Sequence, residues 1–283
     1  MSTTTCRVWC PELSLAEYHA ESEHDSSSTL RLFEDSPGRY RLQRAGQLER
    51  KATDPQRLGT LSHVVLLERH RVDDLVAVYP KDVLASNGAK STNACAAWEL
   101  EHGGKLLVKE HEFNSAVDMA DEVLENPAAR DLIDRATIFE RTIFWETETD
   151  KLKCRIDLGS ELDHEICDVK VSKESEARFH RAVEAYKYHC QAALYCDGFA
   201  AFYGVQPVFR WLVIPTERPY SDCFVRTCPR AALALGRRQN AQTLAEIRAC
   251  KAGERTWFKE GYDEVRDLNM PPHLMARSDY EGI

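Results

Sequence analysis

The sequence predicts a single α/β domain in which a central mixed β-sheet is flanked by helices. Three short β-type runs lie close together in the middle of the chain, at residues 139–145, 152–159 and 166–171. Helical periodicity follows them at residues 175–203 and 229–253. Because 283 residues suffice for one large α/β domain and no linker long enough to split the chain is present, we predict one domain.

Composition narrows the class of protein. The chain is 43% apolar and 29% charged with a net charge of −9, which is typical of a globular protein and argues against a DNA binder coated with positive charge. A local basic groove is still compatible with this charge, because the field over a cleft depends on how charge is distributed. No apolar run is long enough to predict a membrane span, and the N-terminus lacks the layout of a signal peptide. The ten scattered cysteines include no Cys-x-x-Cys, so we expect reduced thiols in a cytoplasmic protein.

The predicted domain follows a polar N-terminal segment. Residues 1–25 show no sustained periodicity, so we predict a variable arm there. Residues 26–283 are predicted to form the domain, with a C-terminal helical extension. Ser26, Ser27 and Ser28 can cap its first helix.

Two further helices are predicted before the strands. Residues 57–68 are apolar on nearly all sides, which indicates a buried helix that carries His63. Residues 113–133 have the pattern of an amphipathic helix interrupted at Pro127. Between these helices, residues 69–112 are predicted to mix short strands and turns.

The strands alternate apolar and polar side chains. In the run from Leu152 to Leu158, the polar positions include Asp157, and in the next run Asp168 and Lys170 share one face. The polar residues between these two runs suit a hairpin, so Asp157 should reach the same place as Asp168. A further strand is predicted at 208–215.

Acidic residues and a lysine on adjacent strands point to metal-dependent phosphodiester hydrolysis. Mg²⁺ prefers oxygen ligands, neutralises phosphate charge and lowers the pKa of a water. Asp157, Asp168 and the backbone carbonyl of Val169 are candidate ligands, and Lys170 can stabilise the transition-state charge. The alternative for Asp168 and Lys170 is a salt pair on a solvated sheet face, worth about 0.2–1 kcal/mol.

Six short segments carry a family resemblance as an ordered set, although no single one is diagnostic. They are Gly59-Thr60-Leu61-Ser62-His63, Gly103-Gly104-Lys105, Glu140-Arg141-Thr142-Ile143-Phe144-Trp145, Cys154-Arg155-Ile156-Asp157, Asp168-Val169-Lys170 and the run from Tyr186 to Tyr195. In this order they resemble the PD-(D/E)xK nuclease superfamily, and more closely the RecE-type double-strand DNA exonucleases of phages and prophages. The resemblance implies a restriction-endonuclease-like core.

The resemblance implies a metal site and a catalytic lysine. Asp157, Asp168 and the Val169 carbonyl are implied as ligands of Mg²⁺, with Mn²⁺ as a substitute. His63 is implied as a further ligand or close neighbour, although a lone histidine on an apolar helix is more often a satisfied core residue. Lys170 is implied as the catalytic lysine, and hydrolysis as direct attack by metal-activated water.

The resemblance also implies roles for residues around the metal. Glu140 corresponds to a catalytic acidic residue beside the metal, and the alternative is an exposed carboxylate on an edge strand. Gln191 and Tyr195 correspond to a helix motif that braces the site and approaches DNA, and the alternative is a helix face packed on the sheet. Arg155 is either a phosphate contact or a solvated charge. The family usually follows Asp-x-Lys with Thr and this chain does not, but Ser172 can cap the next helix or bond a phosphate.

The implied activity is processive 5′-to-3′ resection of linear double-stranded DNA, which leaves 3′ overhangs for recombination by strand annealing. A homo-oligomeric ring and a RecT-type single-strand annealing partner are implied in the same way. The alternatives are an endonuclease or repair nuclease of the same superfamily, and a non-catalytic DNA-end binding protein. Retention of Lys170 and both aspartates argues against the last. The role of residues 216–283 stays open.

The cysteines raise one more alternative, an iron–sulfur cluster. Cys223, Cys228 and Cys250, with Cys6 or Cys10, could supply four ligands. Their spacing lacks the tight Cys-x-x-Cys that such clusters favour, so we expect packing thiols instead.

Overall fold

The structure is a computed structural model that describes residues 5–48, 54–259, 261–262 and 264–265. Residues 266–283, at the end of the predicted C-terminal extension, therefore lie outside the described residues. Within the described part of the chain, no helix is long and apolar enough to cross a membrane.

Eight strands form two sheets in the described part of the chain. They are β1 (Thr5–Trp9), β2 (Val76–Val78), β3 (Leu106–Val108), β4 (Ile138–Thr147), β5 (Lys151–Ser160), β6 (Glu165–Ser172), β7 (Val208–Pro215) and β8 (Phe224–Thr227). The large sheet has the order β1-β4-β5-β6-β7-β8, and β2 pairs with β3. In the large sheet β6 and β7 are parallel and the other neighbours are antiparallel. The mixed sheet confirms the predicted fold class.

Helices cover both faces of this sheet. They are α1 (Leu15–Ala20), α2 (Ser27–Asp35), α3 (Pro37–Arg44), α4 (Asp54–Leu67), α5 (Val72–Leu75), α6 (Asn93–Glu101), α7 (Glu110–Val123), α8 (Pro127–Asp134), α9 (Phe179–Ala185), α10 (Tyr188–Tyr203) and α11 (Arg230–Ala252). As the sequence predicts, Ser26 caps α2 through its side chain.

The core is divided by the sheet into two apolar clusters. Strand β7 shows why, because Phe209 and Trp211 pack with α2, α3, α10 and α11, whereas Leu212 and Ile214 pack with α4, α7 and α8. Successive side chains of a strand point to opposite faces, so a strand in the middle of the sheet must be apolar on both. The sheet is thus buried on both sides, and polar groups within it need partners.

The segment 5–25 contains strand β1 and helix α1. Strand β1 pairs antiparallel with β4, so this segment forms one edge of the large sheet. The Lys153 side chain, 3% exposed, donates hydrogen bonds of 2.7 Å to the carbonyl oxygens of Tyr18 and Glu21. The segment is polar because its stability comes from pairing and from this buried lysine, which periodicity does not reveal. We propose that the domain includes it.

Two expectations about the helices are corrected. Residues 69–112 contain short strands as predicted, but also helix α6 at 93–101, which Thr92 caps through its side chain. The predicted helix over 175–203 is two helices, because Lys187 adopts a left-handed backbone with φ 57° and separates α9 from α10.

Candidate active site

Three carboxylates occupy one row across neighbouring strands. Glu140 and Asp157 lie between the paired positions Phe139–Leu158 and Arg141–Ile156 of β4 and β5, and Asp157 and Asp168 come directly beyond the last pair of β5 and β6. Residues directly opposite each other project from the same face of a sheet. Strands β5 and β6 part beyond their pair Leu158–Cys167, so the two aspartates stand where the sheet opens.

His63 projects from α4 into this opening. Its Nε2 lies 3.2 Å from the Val169 carbonyl oxygen, and its Nδ1 lies 3.5 Å from Glu140 Oε1 and 3.8 Å from Asp157 Oδ2. The Val169 N–H donates a 2.8 Å hydrogen bond to Asp157 Oδ2. Among the described residues, His63, Glu140 and Asp157 are the group whose ligand atoms lie close enough to hold one metal ion.

Glu140 reaches the opening through an unusual backbone conformation. Its φ of 45° is left-handed, which is strained for a non-glycine residue within a strand, and such strain concentrates at functional sites. Arg155 Nε donates a 2.7 Å hydrogen bond to Glu140 Oε2, and its Nη1 donates to Thr142 Oγ1 and the Leu13 carbonyl oxygen. Arg155 is 8% exposed, so it is not the solvated charge that the sequence allowed. Its contacts are those of a residue that orients Glu140.

A second set of contacts surrounds Asp168, which is 1% exposed. Gln191 Nε2 donates a 2.7 Å hydrogen bond to Asp168 Oδ1. Lys170 Nζ lies 2.6 Å from Oδ2, but this ion pair lacks the alignment of a hydrogen bond, and Oδ2 is buried without one. Tyr195 lies one turn after Gln191 on α10 and lines the same cavity as Lys170. Burial raises the pKa of Tyr195 well above its ordinary value, which keeps the phenol protonated.

Burial and the neighbouring charges in the opening shift the pKa values of His63 and Asp157. Burial alone would lower the pKa of His63, but the carboxylates of Asp157, Glu140 and Asp168 outweigh it and raise the pKa to about 9. Burial raises the pKa of Asp157 to about 7, with Asp168 and Glu140 adding to the rise and His63 and Lys170 opposing it. Burial is therefore the main cause of the raised pKa of Asp157, and the neighbouring carboxylates add to it.

Glu140 and Lys170 keep their charges. Burial would raise the pKa of Glu140, but His63 and Arg155 lower it on balance. Burial would lower the pKa of Lys170, but the carboxylates of Asp168 and Asp157 outweigh it and raise the pKa. Lys170 is therefore an ammonium at neutral pH.

The arrangement fits a divalent cation. The ligand atoms of His63, Glu140 and Asp157 converge on one point, and the nearby Asp168 Oδ2 is a buried acceptor whose close neighbour is the Lys170 ammonium. Carboxylates, one backbone carbonyl and an imidazole make a donor set dominated by hard oxygens, which suits Mg²⁺ or Mn²⁺. The cysteines of the alternative iron–sulfur cluster do not join this group.

Ser172 does not join the other predicted residues. It ends β6, and its Oγ accepts the N–H of Glu174, so it caps the turn after the strand and not a helix. No contact between Ser172 and the acidic row occurs in the described part of the chain.

A cavity of about 660 Å³ adjoins Lys170, and part of its wall was missed from the sequence. Its wall includes Arg31 on α2 and the rings of Tyr186 and Tyr188. The sequence pattern marks only the apolar face of α2, so it predicts no role for Arg31. The two tyrosines lie within a quoted motif, and their spacing in a continuous helix would have placed them on different faces.

The fold and the site define the class of protein. A mixed sheet that opens at an aspartate, followed by Asp168-Val169-Lys170, is the arrangement of the PD-(D/E)xK nuclease superfamily. Residues 26–260 match the family described as "PDDEXK-like domain of unknown function (DUF3799)", and the chain belongs to that family. The predicted membership of the superfamily is confirmed.

A solved structure shares the fold. It is a protein named "Putative exonuclease" from Eubacterium rectale, 13% identical, with a TM-score of 0.63 over 95% of this chain and 99% of that chain. No curated protein matches the chain. At this identity the likeness concerns the fold alone, a restriction-endonuclease-like core.

Proposed function

We propose that the protein is a Mg²⁺-dependent exodeoxyribonuclease that hydrolyses phosphodiester bonds of linear double-stranded DNA. The observation that supports this most is the meeting of Asp157, Asp168, His63 and the Val169 carbonyl at one opening of the sheet, with Lys170 beside them. Membership of a nuclease superfamily makes DNA the natural substrate.

Each residue has a proposed task. A bound Mg²⁺ would neutralise charge on the scissile phosphate and lower the pKa of the attacking water. Asp157 would hold it together with Asp168 and the Val169 carbonyl, as the resemblance implies, although the ligand atoms that lie within reach of one another are those of Asp157, Glu140 and His63. Lys170, which stays charged, would contact the phosphate oxygens and stabilise the charge that develops in the transition state.

Two residues position this machinery without touching the substrate. Gln191 holds the Asp168 carboxylate through Oδ1, while Oδ2 faces the Lys170 ammonium and lacks a hydrogen bond. Arg155 holds the Glu140 carboxylate through Oε2 and leaves Oε1 towards His63. In both carboxylates one oxygen accepts a hydrogen bond from the positioning residue and the other points into the site.

The finer features rest on the resemblance to RecE-type enzymes. They are 5′-to-3′ polarity, processive digestion that leaves 3′ overhangs, a homo-oligomeric ring and a RecT-type annealing partner. Light scattering of the purified protein tests the ring, and a monomer at the concentrations used for activity would refute it.

A time course on linear duplexes tests the activity and its polarity. Duplexes labelled separately at each 5′ end and each 3′ end are incubated with Mg²⁺ or with EDTA. We expect Mg²⁺-dependent loss of label from 5′ ends first, and covalently closed plasmid should stay intact. Prompt nicking of the plasmid would instead indicate an endonuclease or repair nuclease.

The Lys170→Ala variant tests the assignment of the lysine. It should abolish cleavage while duplex binding in EDTA is retained, because the lysine acts on the transition state. Cleavage that persists in the variant would refute its role. If the wild-type protein binds DNA ends but never cleaves them, the non-catalytic alternative holds.

A further inference from the structure

Two tyrosine rings stand together on the wall of the cavity that contains Lys170. The ring centroids of Tyr186 and Tyr188 are 5.4 Å apart with an angle of 27° between the planes. Both rings line the cavity together with Gln191. Tyr186 is 47% exposed, so an aromatic surface faces solvent beside the candidate active site.

The backbone between the rings accounts for their stacking. In a continuous helix, side chains two residues apart point about 200° away from each other and cannot stack. Lys187 between them has φ 57° and ψ 35°, which ends α9 and starts α10. A left-handed lysine is disfavoured, and strain of this kind concentrates where function requires a particular arrangement of side chains.

A cation lies over each of the two rings. Lys170 Nζ lies 4.7 Å from the centroid of the Tyr188 ring, and Arg31 Cζ lies 5.7 Å from that of Tyr186. Arg39 lines the same cavity. Aromatic surfaces with cations at their borders are how proteins bind single-stranded nucleic acid, because bases stack on the rings while phosphates meet the positive charges.

We propose that Tyr186 and Tyr188 form a stacking platform for an unpaired nucleobase of the DNA strand that enters the active site. The base is unpaired or terminal, because both faces of an internal base in a duplex are covered by its neighbours. Arg31 and Lys170 then face the phosphates on either side of that nucleotide. This inference rests on the proposed function for the identity of the strand.

Oligonucleotide binding without hydrolysis tests the platform. An eight-nucleotide oligothymidylate carrying one 2-aminopurine is titrated with protein in EDTA, and the label is moved along the strand. Tyr186→Leu should weaken binding roughly 5- to 150-fold, since it removes the ring. Tyr186→Phe should stay within about twofold of wild type. Tyr262→Leu, at an exposed tyrosine that does not line the cavity, is the control and should change nothing.

Two measurements keep the test independent of folding. With wild-type protein alone, 2-aminopurine fluorescence should be quenched at one position of the strand, and absence of quenching at every position would overturn the platform. An oligonucleotide with abasic sites throughout should bind Tyr186→Leu and wild type equally. Stacking is refuted if Tyr186→Leu weakens binding of the abasic oligonucleotide as much as binding of the normal one. It is also refuted if Tyr186→Phe and Tyr186→Leu weaken binding equally.

The outcomes separate this inference from the proposed function. If Tyr186→Leu weakens oligonucleotide binding as expected but wild-type protein never cleaves duplex DNA, the platform stands and the nuclease proposal fails. If wild type cleaves from ends and Tyr186→Leu binds the oligonucleotide as wild type does, the nuclease proposal stands and the platform fails.

Discussion

Binding of Mg²⁺ is expected to release protons, because two groups that would hold or adjoin the ion are protonated near neutral pH. The pKa of His63 is raised to about 9 and that of Asp157 to about 7. Ligands of a metal must be deprotonated, and a nearby imidazolium would repel it. At pH 7 about 1% of the His63 imidazole is neutral, which lowers the apparent affinity about 100-fold, equivalent to about 2.7 kcal/mol.

The apparent association constant should rise with pH. Between pH 7 and 9 we expect about a tenfold rise for each pH unit, and a steeper rise below pH 7, where Asp157 also titrates. Isothermal titration calorimetry at pH 6.5, 7.5 and 8.5, each in two buffers of different ionisation enthalpy, measures both the constant and the protons released. At pH 6.5 wild-type protein should release close to two protons per ion.

Substitution of His63 shows which of the two groups releases each proton. The His63→Gln variant should release at most about one proton at pH 6.5, from the Asp157 carboxyl. His70→Gln, at an exposed histidine near the end of α4, is the control and should match wild type. The explanation would be refuted if wild-type protein released less than about half a proton per ion. It would also be refuted if wild type and His63→Gln released equal numbers of protons.

Three further predictions concern stability. Protonated His63 stabilises the fold, because its pKa of about 9 in the folded protein lies above its ordinary value; this stabilisation is fully present below about pH 6.5 and is lost as pH rises through about 9. Urea titrations in EDTA should therefore show about 3 kcal/mol less stability at pH 9 than at pH 6.5 from this group. Gly236→Ala would place a Cβ against a backbone carbonyl of α10, so in thermal unfolding it should destabilise the protein by about 1–3 kcal/mol. Gly59→Ala adds its Cβ in open space on α4 and should stabilise the protein by up to about 1 kcal/mol. Gln191→Leu leaves Asp168 without its hydrogen bond and should lower the urea midpoint by an amount equivalent to about 1.5–3 kcal/mol.

Each of these has a contradicting result. A flat stability between pH 6.5 and 9 in EDTA would mean that His63 is not held by the carboxylates. Equal shifts for the two glycine variants would mean that α10 and α11 do not pack at Gly236. An unchanged midpoint for Gln191→Leu would mean that water replaces the amide.

Strand periodicity in the sequence was sufficient to predict the centre of the fold. Alternation with a period of two is a local property of the chain, so β5, β6 and β7 appear where the sequence predicts them. A short polar connection between β5 and β6 forces antiparallel neighbours, which places Asp157 and Asp168 next to each other, directly beyond the pair Leu158–Cys167. The helix α11 is likewise predicted from its own spacing.

Long-range contacts were decided by the tertiary structure alone. His63 meets the Val169 carbonyl across 106 residues, and the polar Lys153 is buried because residues 5–25 cover it. The left-handed backbones of Glu140 and Lys187 have no signal in residue type, since neither is glycine or asparagine. The sequence determines which residues share a face of one element, because that depends on local geometry. Which element covers that face depends on packing between distant segments, and only the folded chain shows it.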